Sequence, residues 1–156
     1  MINLDIPGWG NIDIENVAFD LNGTLAIDGK MSAEVKERIN ALSEKVKVYI
    51  LTADTHGTAN DEIRDIDVSW VKITEEDTAK GKMEFLKTIN PENTVAIGNG
   101  DNDHLLLREA ALGIAVMSEE GISTLAIKEA DLVVRNITDA FNLFLKPKRL
   151  ISTLRK

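Results

Sequence analysis

The chain has 156 residues, 44% of them apolar and 28% charged, enough for one domain with a full core and too few for two ordinary ones. Its net charge of −8 argues against a nucleic-acid partner, since backbone binding needs a basic surface. No apolar run approaches the roughly 18 residues that span a bilayer. The N-terminus lacks the basic start and apolar stretch of a secretory signal, and the absence of cysteine excludes disulfides and thiolate metal sites; the cytoplasm is the expected compartment.

Along the chain, Pro7-Gly-Trp-Gly10 reads as a turn, and Asn16 to Asp20 (NVAFD) as an apolar strand that stops on an aspartate. Gly23 to Gly29 alternates between glycines and reads as a small hairpin. Ser32 is a helix N-cap, with Glu34 and Glu37 near the helix start and Val35, Ile39 and Leu42 on one face. A strand at Val46 to Leu51, a helix at His56 to Arg64 and a strand at Val68 to Ile73 follow. Thr78 to Ile89 is a helix stopped by Asn90-Pro91. Next come a strand at Thr94 to Ile97, a helix at Asn102 to Ala111 and a strand at Gly113 to Val116. A helix at Glu119 to Ala130, a strand at Leu132 to Val134 and a last helix from near Thr138 complete the chain. This alternation predicts a three-layer α/β, Rossmann-like fold: one domain over residues 1–156, with a central, mostly parallel sheet and helices on both faces.

Three strands in that series end alike. Asn16 to Asp20 runs into Leu-Asn-Gly-Thr24, Val48 to Leu51 into Thr52-Ala-Asp54, and Thr94 to Gly98 into Asn99-Gly-Asp-Asn-Asp103. In an open parallel sheet such residues meet at the carboxyl edge, where ligands bind, so the three together predict an active site. Only a helix and two short turns fit between Asp20 and Thr52, and only one βα step between Thr52 and the lysines near 80, leaving no room for a cap domain over that site. His56 and His104 read as exposed residues at helix starts, Trp9 and Trp70 as packing residues, and Lys146-Pro-Lys-Arg149 with Arg155-Lys156 as a solvated basic end.

The motifs resemble those of the haloacid dehalogenase (HAD) superfamily of phosphotransfer enzymes. Asp20 to Thr24 (DLNGT) matches the first motif, Thr52 the second and Gly98 to Asp103 (GNGDND) the acidic fourth. They are most similar to the phosphorylation domain of P-type ATPases (D-K-T-G-T, T-G-D and G-D-G-x-N-D), and Thr52-Ala-Asp54 with Thr58-Ala59 follows that family's T-G-D-x-x-x-T-A. The resemblance implies Asp20 as a nucleophile that forms an aspartyl-phosphate, and Mg²⁺ held by Asp20, the Asn22 carbonyl, Asn99 and Asp103. Asp103 is expected to carry most of the remaining negative charge. Thr52 and the following Ala53 and Asp54, Gly23 and Thr24, and the Asn102 amide are expected around the phosphate.

A lysine should balance the phosphate charge. Lys80 lies nineteen residues before Asn99, the spacing expected from the pumps. Lys82 has apolar residues three, four and seven positions on (Phe85, Leu86, Ile89), a register that buries its helix and favours Lys82. Two positions depart from the family: Asn99 replaces the first acid of the fourth motif, and Asn22 stands where phosphatases carry a general acid–base aspartate. The implied substrate is a small phosphate ester, an acyl phosphate or ATP, turned over slowly. A weakly active or non-catalytic phosphate-binding regulator of the same fold is the alternative. No membrane partner is expected, and a homo-oligomer is left open.

Overall fold

The computed structural model describes residues 1–53, 61, 62 and 64–156. Asp54, His56, Thr58, Ala59 and most of the helix expected over His56 to Arg64 lie outside the described residues. The chain opens with an antiparallel hairpin, β1 (Ile2–Ile6) and β2 (Gly10–Ile14), that pairs Ile2 with Ile14 and Ile6 with Gly10. Pro7 to Gly10 is its turn, as the sequence predicts; the two strands are not among the predicted elements, being too short to stand alone. Leu4, Ile6, Ile12 and Ile14 are buried, and Ile2 half-buried, because the hairpin lies on the main core.

Among the described residues six strands remain: β3 (Asn16–Asp20), β4 (Lys47–Thr52), β5 (Ser69–Lys72), β6 (Thr94–Gly98), β7 (Leu112–Val116) and β8 (Leu132–Val134). They form one sheet in the order β5-β4-β3-β6-β7-β8, every pairing parallel. The chain builds outward from β3 to β5 on one side, then returns to lay β6 beside β3. The switch point therefore falls between β3 and β6, where open sheets leave a crevice at their carboxyl ends.

Helices that lie wholly within the described residues are α1 (Ala33–Ser43), α2 (Thr78–Thr88), α3 (His104–Glu109), α4 (Thr124–Glu129), α5 (Ile137–Leu145) and α6 (Lys148–Leu154). Successive strand residues point to opposite faces, and the core divides accordingly. Val17, Phe19, Val48, Ile50, Val95 and Ile97 pack with the hairpin, α1, α5 and α6, with the Phe19 and Phe141 rings 5.3 Å apart. Ala18, Leu51, Ala96 and Ala115 pack under Leu86, Leu106, Leu107 and Ala126 of α2, α3 and α4. The small residues on this face let those helices approach the sheet closely.

Ser32 caps α1 by accepting the Val35 amide, and Val35, Ile39 and Leu42 are its buried face. Three expectations need correction. The helix expected from Glu119 is only Thr124–Glu129, because Gly121 sits at φ +94° and Ser123 caps the helix that follows. The helix expected from Asn102 begins as a 3₁₀ turn, Asp101–Asp103, before α3. The C-terminal helix is two, separated at Pro147, whose missing N–H ends the first. The basic residues Lys148 and Arg149 thus open a helix instead of closing one. Trp9 is half-buried, with Lys156 Nζ 5.6 Å from its ring centre, and Trp70 is half-buried on edge strand β5.

Candidate active site

Strand register brings the motifs together. Asp20, the last residue of β3, pairs with Leu51 of β4, so Thr52 lies one step beyond it. On the other side Phe19 pairs with Ile97, so Gly98 and Asn99 follow at the same edge. Asp20, Thr52 and Asp103 are all buried polar residues. Lys82 enters from just past the first turn of α2, whose N-cap Asp77 accepts the Lys80 amide. Gly81 lets this turn lie against the β5 end: a Cβ there would be 2.6 Å from Ile73 Cγ2 and 2.5 Å from Glu75 Oε2.

Lys82 is the centre of the site. Its side chain is 1% exposed, and its Nζ donates to Asp20 Oδ1 and Asp103 Oδ1, each at 2.6 Å. Lys80, two residues earlier, is exposed. Asp103 also accepts the Asn99 and Gly100 amides on Oδ2, at 3.0 and 2.9 Å. Its carboxylate folds back so closely over Gly98 that a Cβ there would be 2.5 Å from its Cγ.

Asp103, expected as a metal ligand, has no exposed surface, and its two oxygens accept from Lys82 Nζ and from two backbone amides, an arrangement that orients Lys82 and the loop. Asn99, also expected there, is half-buried beside the flap. The Thr24 hydroxyl lies 3.1 Å from Asp20 Oδ2 and 3.2 Å from Asn99 Oδ1. Gly23, at φ +81°, makes this approach possible, since a Cβ on it would be 2.5 Å from Asn99 Nδ2.

One hydroxyl proton cannot serve both acceptors. One of the two oxygens therefore faces the Thr24 hydroxyl oxygen with no proton between them, a lone pair that a hard, oxygen-seeking cation would satisfy. Asp20 Oδ2 and Asn99 Oδ1 thus fit Mg²⁺ in ligand type, although no group of three or more His, Cys, Asp or Glu converges among the described residues. A site of this kind is a weak one until phosphate oxygens complete it.

Asn22 is exposed, beside the Asn22–Ala26 bridge of the flap that follows β3. The flap closes at Ile27 and Lys30, which exchange backbone hydrogen bonds around Asp28 (φ +51°) and Gly29 (φ +74°), a two-residue hairpin turn. Of the other expected residues, Ala53 and Asn102 are exposed, and His104 opens α3 with Nδ1 2.7 Å from the Asp101 carbonyl oxygen. The sequence offered no role for the segment after β7. Glu120 Oε2 accepts the flap's Asp28 N–H at 3.1 Å, Gly121 O accepts Asn99 Nδ2 at 3.3 Å, and Ser123 donates its amide to Asn99 O and contacts Asp101 Oδ1 with its hydroxyl. The turn residues Glu-Glu-Gly121 were the only signal for it.

One ammonium faces two carboxylates, and the imbalance falls on Asp20. Burial raises its carboxyl and the Asp103 charge raises it further; Lys82 and Thr24 act in the opposite sense without cancelling them, so it titrates near about 7 instead of 3.8. For Lys82, burial opposes the charge, but Asp20 and Asp103 outweigh it and hold the ammonium above the usual lysine range. A carboxyl raised in the folded state contributes stability that is full below its unfolded value and is lost as pH rises through the folded one. In EDTA, denaturant midpoints should therefore fall between pH 5 and pH 8, and Asp20→Asn should flatten that dependence. An unchanged slope in Asp20→Asn would assign the loss to other groups.

Among the described residues, no helix is long and apolar enough to cross a membrane. No family model matches the chain. It is 47% identical over 74 residues to the uncharacterized protein MJ0073 of Methanocaldococcus jannaschii, a match covering 47% of this chain and 80% of that protein. It is 28% identical over 142 residues to a soluble P-type ATPase-like phosphatase of the same organism, over 87% of this chain and 51% of that protein, so it spans about half the length of that relative. In structure it is similar to 3-deoxy-D-manno-octulosonate 8-phosphate phosphatase from Moraxella catarrhalis, solved with magnesium, phosphate and KDO (TM-score 0.71, 16% identity, 91% and 94% of the two chains). It is also similar to BT1666 from Bacteroides thetaiotaomicron, a phosphatase of the haloalkanoate (HAD) superfamily (TM-score 0.61, 13% identity, 91% and 96%).

Proposed function

Because this chain has the HAD fold and belongs to one family with MJ0073 of Methanocaldococcus jannaschii, we propose that it is a Mg²⁺-dependent phosphohydrolase or phosphotransferase working through an aspartyl-phosphate on Asp20. The observation that carries this reading is the buried Lys82 bridging Asp20 and Asp103 at the sheet's switch point. Burying an ion triad is expensive and rarely gains stability over apolar packing, so its presence at the ligand-binding edge favours a catalytic purpose.

The Asp20 carboxylate attacks phosphorus, the bond to the leaving group breaks, and the phosphoryl group passes to the carboxylate oxygen. Water then attacks phosphorus, releasing inorganic phosphate and restoring Asp20. Lys82 offsets charge on the phosphoryl oxygens, while Thr52 and the exposed Ala53 border the crevice beside them. Asp20, the Asn22 carbonyl and Asn99 Oδ1 would hold Mg²⁺, which when bound neutralises charge between carboxylate and phosphate. With no cap over the crevice among the described residues, a small phosphate ester, an acyl phosphate or ATP has access, and we place the reaction in the cytoplasm.

Incubation with acetyl phosphate and Mg²⁺ should label Asp20, hydroxylamine should remove the label, and p-nitrophenyl phosphate should turn over only in the parent and not in Asp20→Ala. Asn22 and Asn99 favour a second reading, a phosphate-binding regulator without turnover. Phosphate binding without any label on Asp20 would establish that reading and refute ours.

A further inference from the structure

In the resembled family the position of Asn99 is an acid, and the simplest account of the asparagine is a weakened aspartate. The contacts around it say otherwise. Asn99 Nδ2 donates to Gly121 O at 3.3 Å, and a carbonyl oxygen can only accept. That fixes which end of the amide points where: nitrogen to Gly121, oxygen to the Thr24 hydroxyl and the Asp20 side of the crevice. An aspartate in the same pose would set a carboxylate oxygen against the Gly121 carbonyl oxygen, with no proton between them.

The geometry points to Asn99 as a positioning residue whose amide N–H₂, tied to the 117–123 loop, aims its oxygen into the site, a task an aspartate here could not perform. This deepens the phosphoryl-transfer reading and rests on it for the purpose of that oxygen, though not for the contact itself.

The surroundings support a built arrangement. The same loop is fastened to the motif at two further points, Ser123 N to Asn99 O at 2.8 Å and the Ser123 hydroxyl to Asp101 Oδ1, and to the flap through Glu120 Oε2 and the Asp28 amide. Gly121 reaches this position at φ +94°, a conformation that L side chains rarely adopt. Gly23, pressed against the Asn99 amide from below, closes the other side. Loop, fourth motif and flap thus share one network with Asn99 at its centre. Its charge consequence is concrete: Asp20, Asp103 and Lys82 sum to −1 when all are ionised, where a third acid would make −2. A phosphate dianion meets less repulsion, and a divalent cation less attraction.

The test compares Asn99→Asp, which keeps shape and removes the donor, with Asn99→Ala, which removes both. Backbone hydrogen exchange is followed by mass spectrometry on metal-free protein, together with the Mg²⁺ concentration that gives half of the maximal thermal shift. The amide tie predicts that both variants raise exchange over residues 117–123 at least fivefold, Asn99→Asp no less than Asn99→Ala, and that Asn99→Asp does not tighten Mg²⁺ tenfold despite its added charge. Parent-like exchange in Asn99→Asp means that shape alone holds the loop and overturns the proposal. So does a tenfold gain in Mg²⁺ affinity, which would make Asn99 a weakened aspartate. If the parent shows no thermal response to Mg²⁺, the metal reading of the site fails while the exchange comparison still decides the role of the amide.

Discussion

Asn22→Asp is expected to speed hydrolysis of unactivated phosphate esters by at least about tenfold, while barely changing activated ones. The exposed Asn22 stands at the flap beside the crevice, where a carboxyl would reach the leaving group and later the attacking water. Without it an alkoxide leaves unprotonated and the water attacks without a base. General acid–base help of this kind is typically worth ~10²–10⁴ in rate, or roughly 3–5 kcal/mol of barrier at about 1.36 kcal/mol per tenfold. The parent should therefore favour p-nitrophenyl phosphate and acyl phosphates over sugar or alkyl phosphates, and its phosphoenzyme should hydrolyse slowly. Rates for both variants across leaving groups of graded pKa check this. A parent indifferent to leaving-group pKa, or an Asn22→Asp variant slower on every ester, would show that another group delivers the proton.

Lys82→Ala is expected to cost roughly 3–5 kcal/mol of stability, the range seen when one partner of a buried charge pair is removed, and to lower turnover below detection. The side chain is 1% exposed, and its loss leaves the Asp20 and Asp103 carboxylates facing each other without a counter-charge. Protonation relieves that repulsion, so in EDTA the deficit should be larger at pH 8 than at pH 5. Urea unfolding at both values measures it. Lys80→Ala, on the exposed surface of the same helix, should stay within about 0.5 kcal/mol of the parent. Equal losses in the two variants would place the supporting charge elsewhere. The double variant Lys82→Met with Asp103→Leu should recover part of the stability but none of the activity, which separates folding from chemistry.

Much of this was written in local pattern. Asn16 to Asp20, Val48 to Thr52 and Thr94 to Asn99 are apolar runs ending on polar residues, and that pattern survives in one dimension because a strand buried on both faces must be apolar along its length. The α/β alternation, the Ser32 cap and the apolar register that buries Lys82 rather than Lys80 were legible for the same reason: each depends on residues within one or two turns of each other. What only the tertiary structure decided are contacts between distant segments. Asp103 is expected near the metal because it keeps the second acid of the resembled fourth motif, and that much is local. That its oxygens are taken by Lys82 and by two amides depends on how the loop folds back over Gly98. The N-terminal hairpin was missed because its short alternating strands gain stability only by burying Leu4, Ile6, Ile12 and Ile14 on a core built by the rest of the chain. The tie between Asn99 and Gly121 spans 22 positions and ends on a backbone carbonyl. A carbonyl is common to every residue, so no side-chain pattern could announce it.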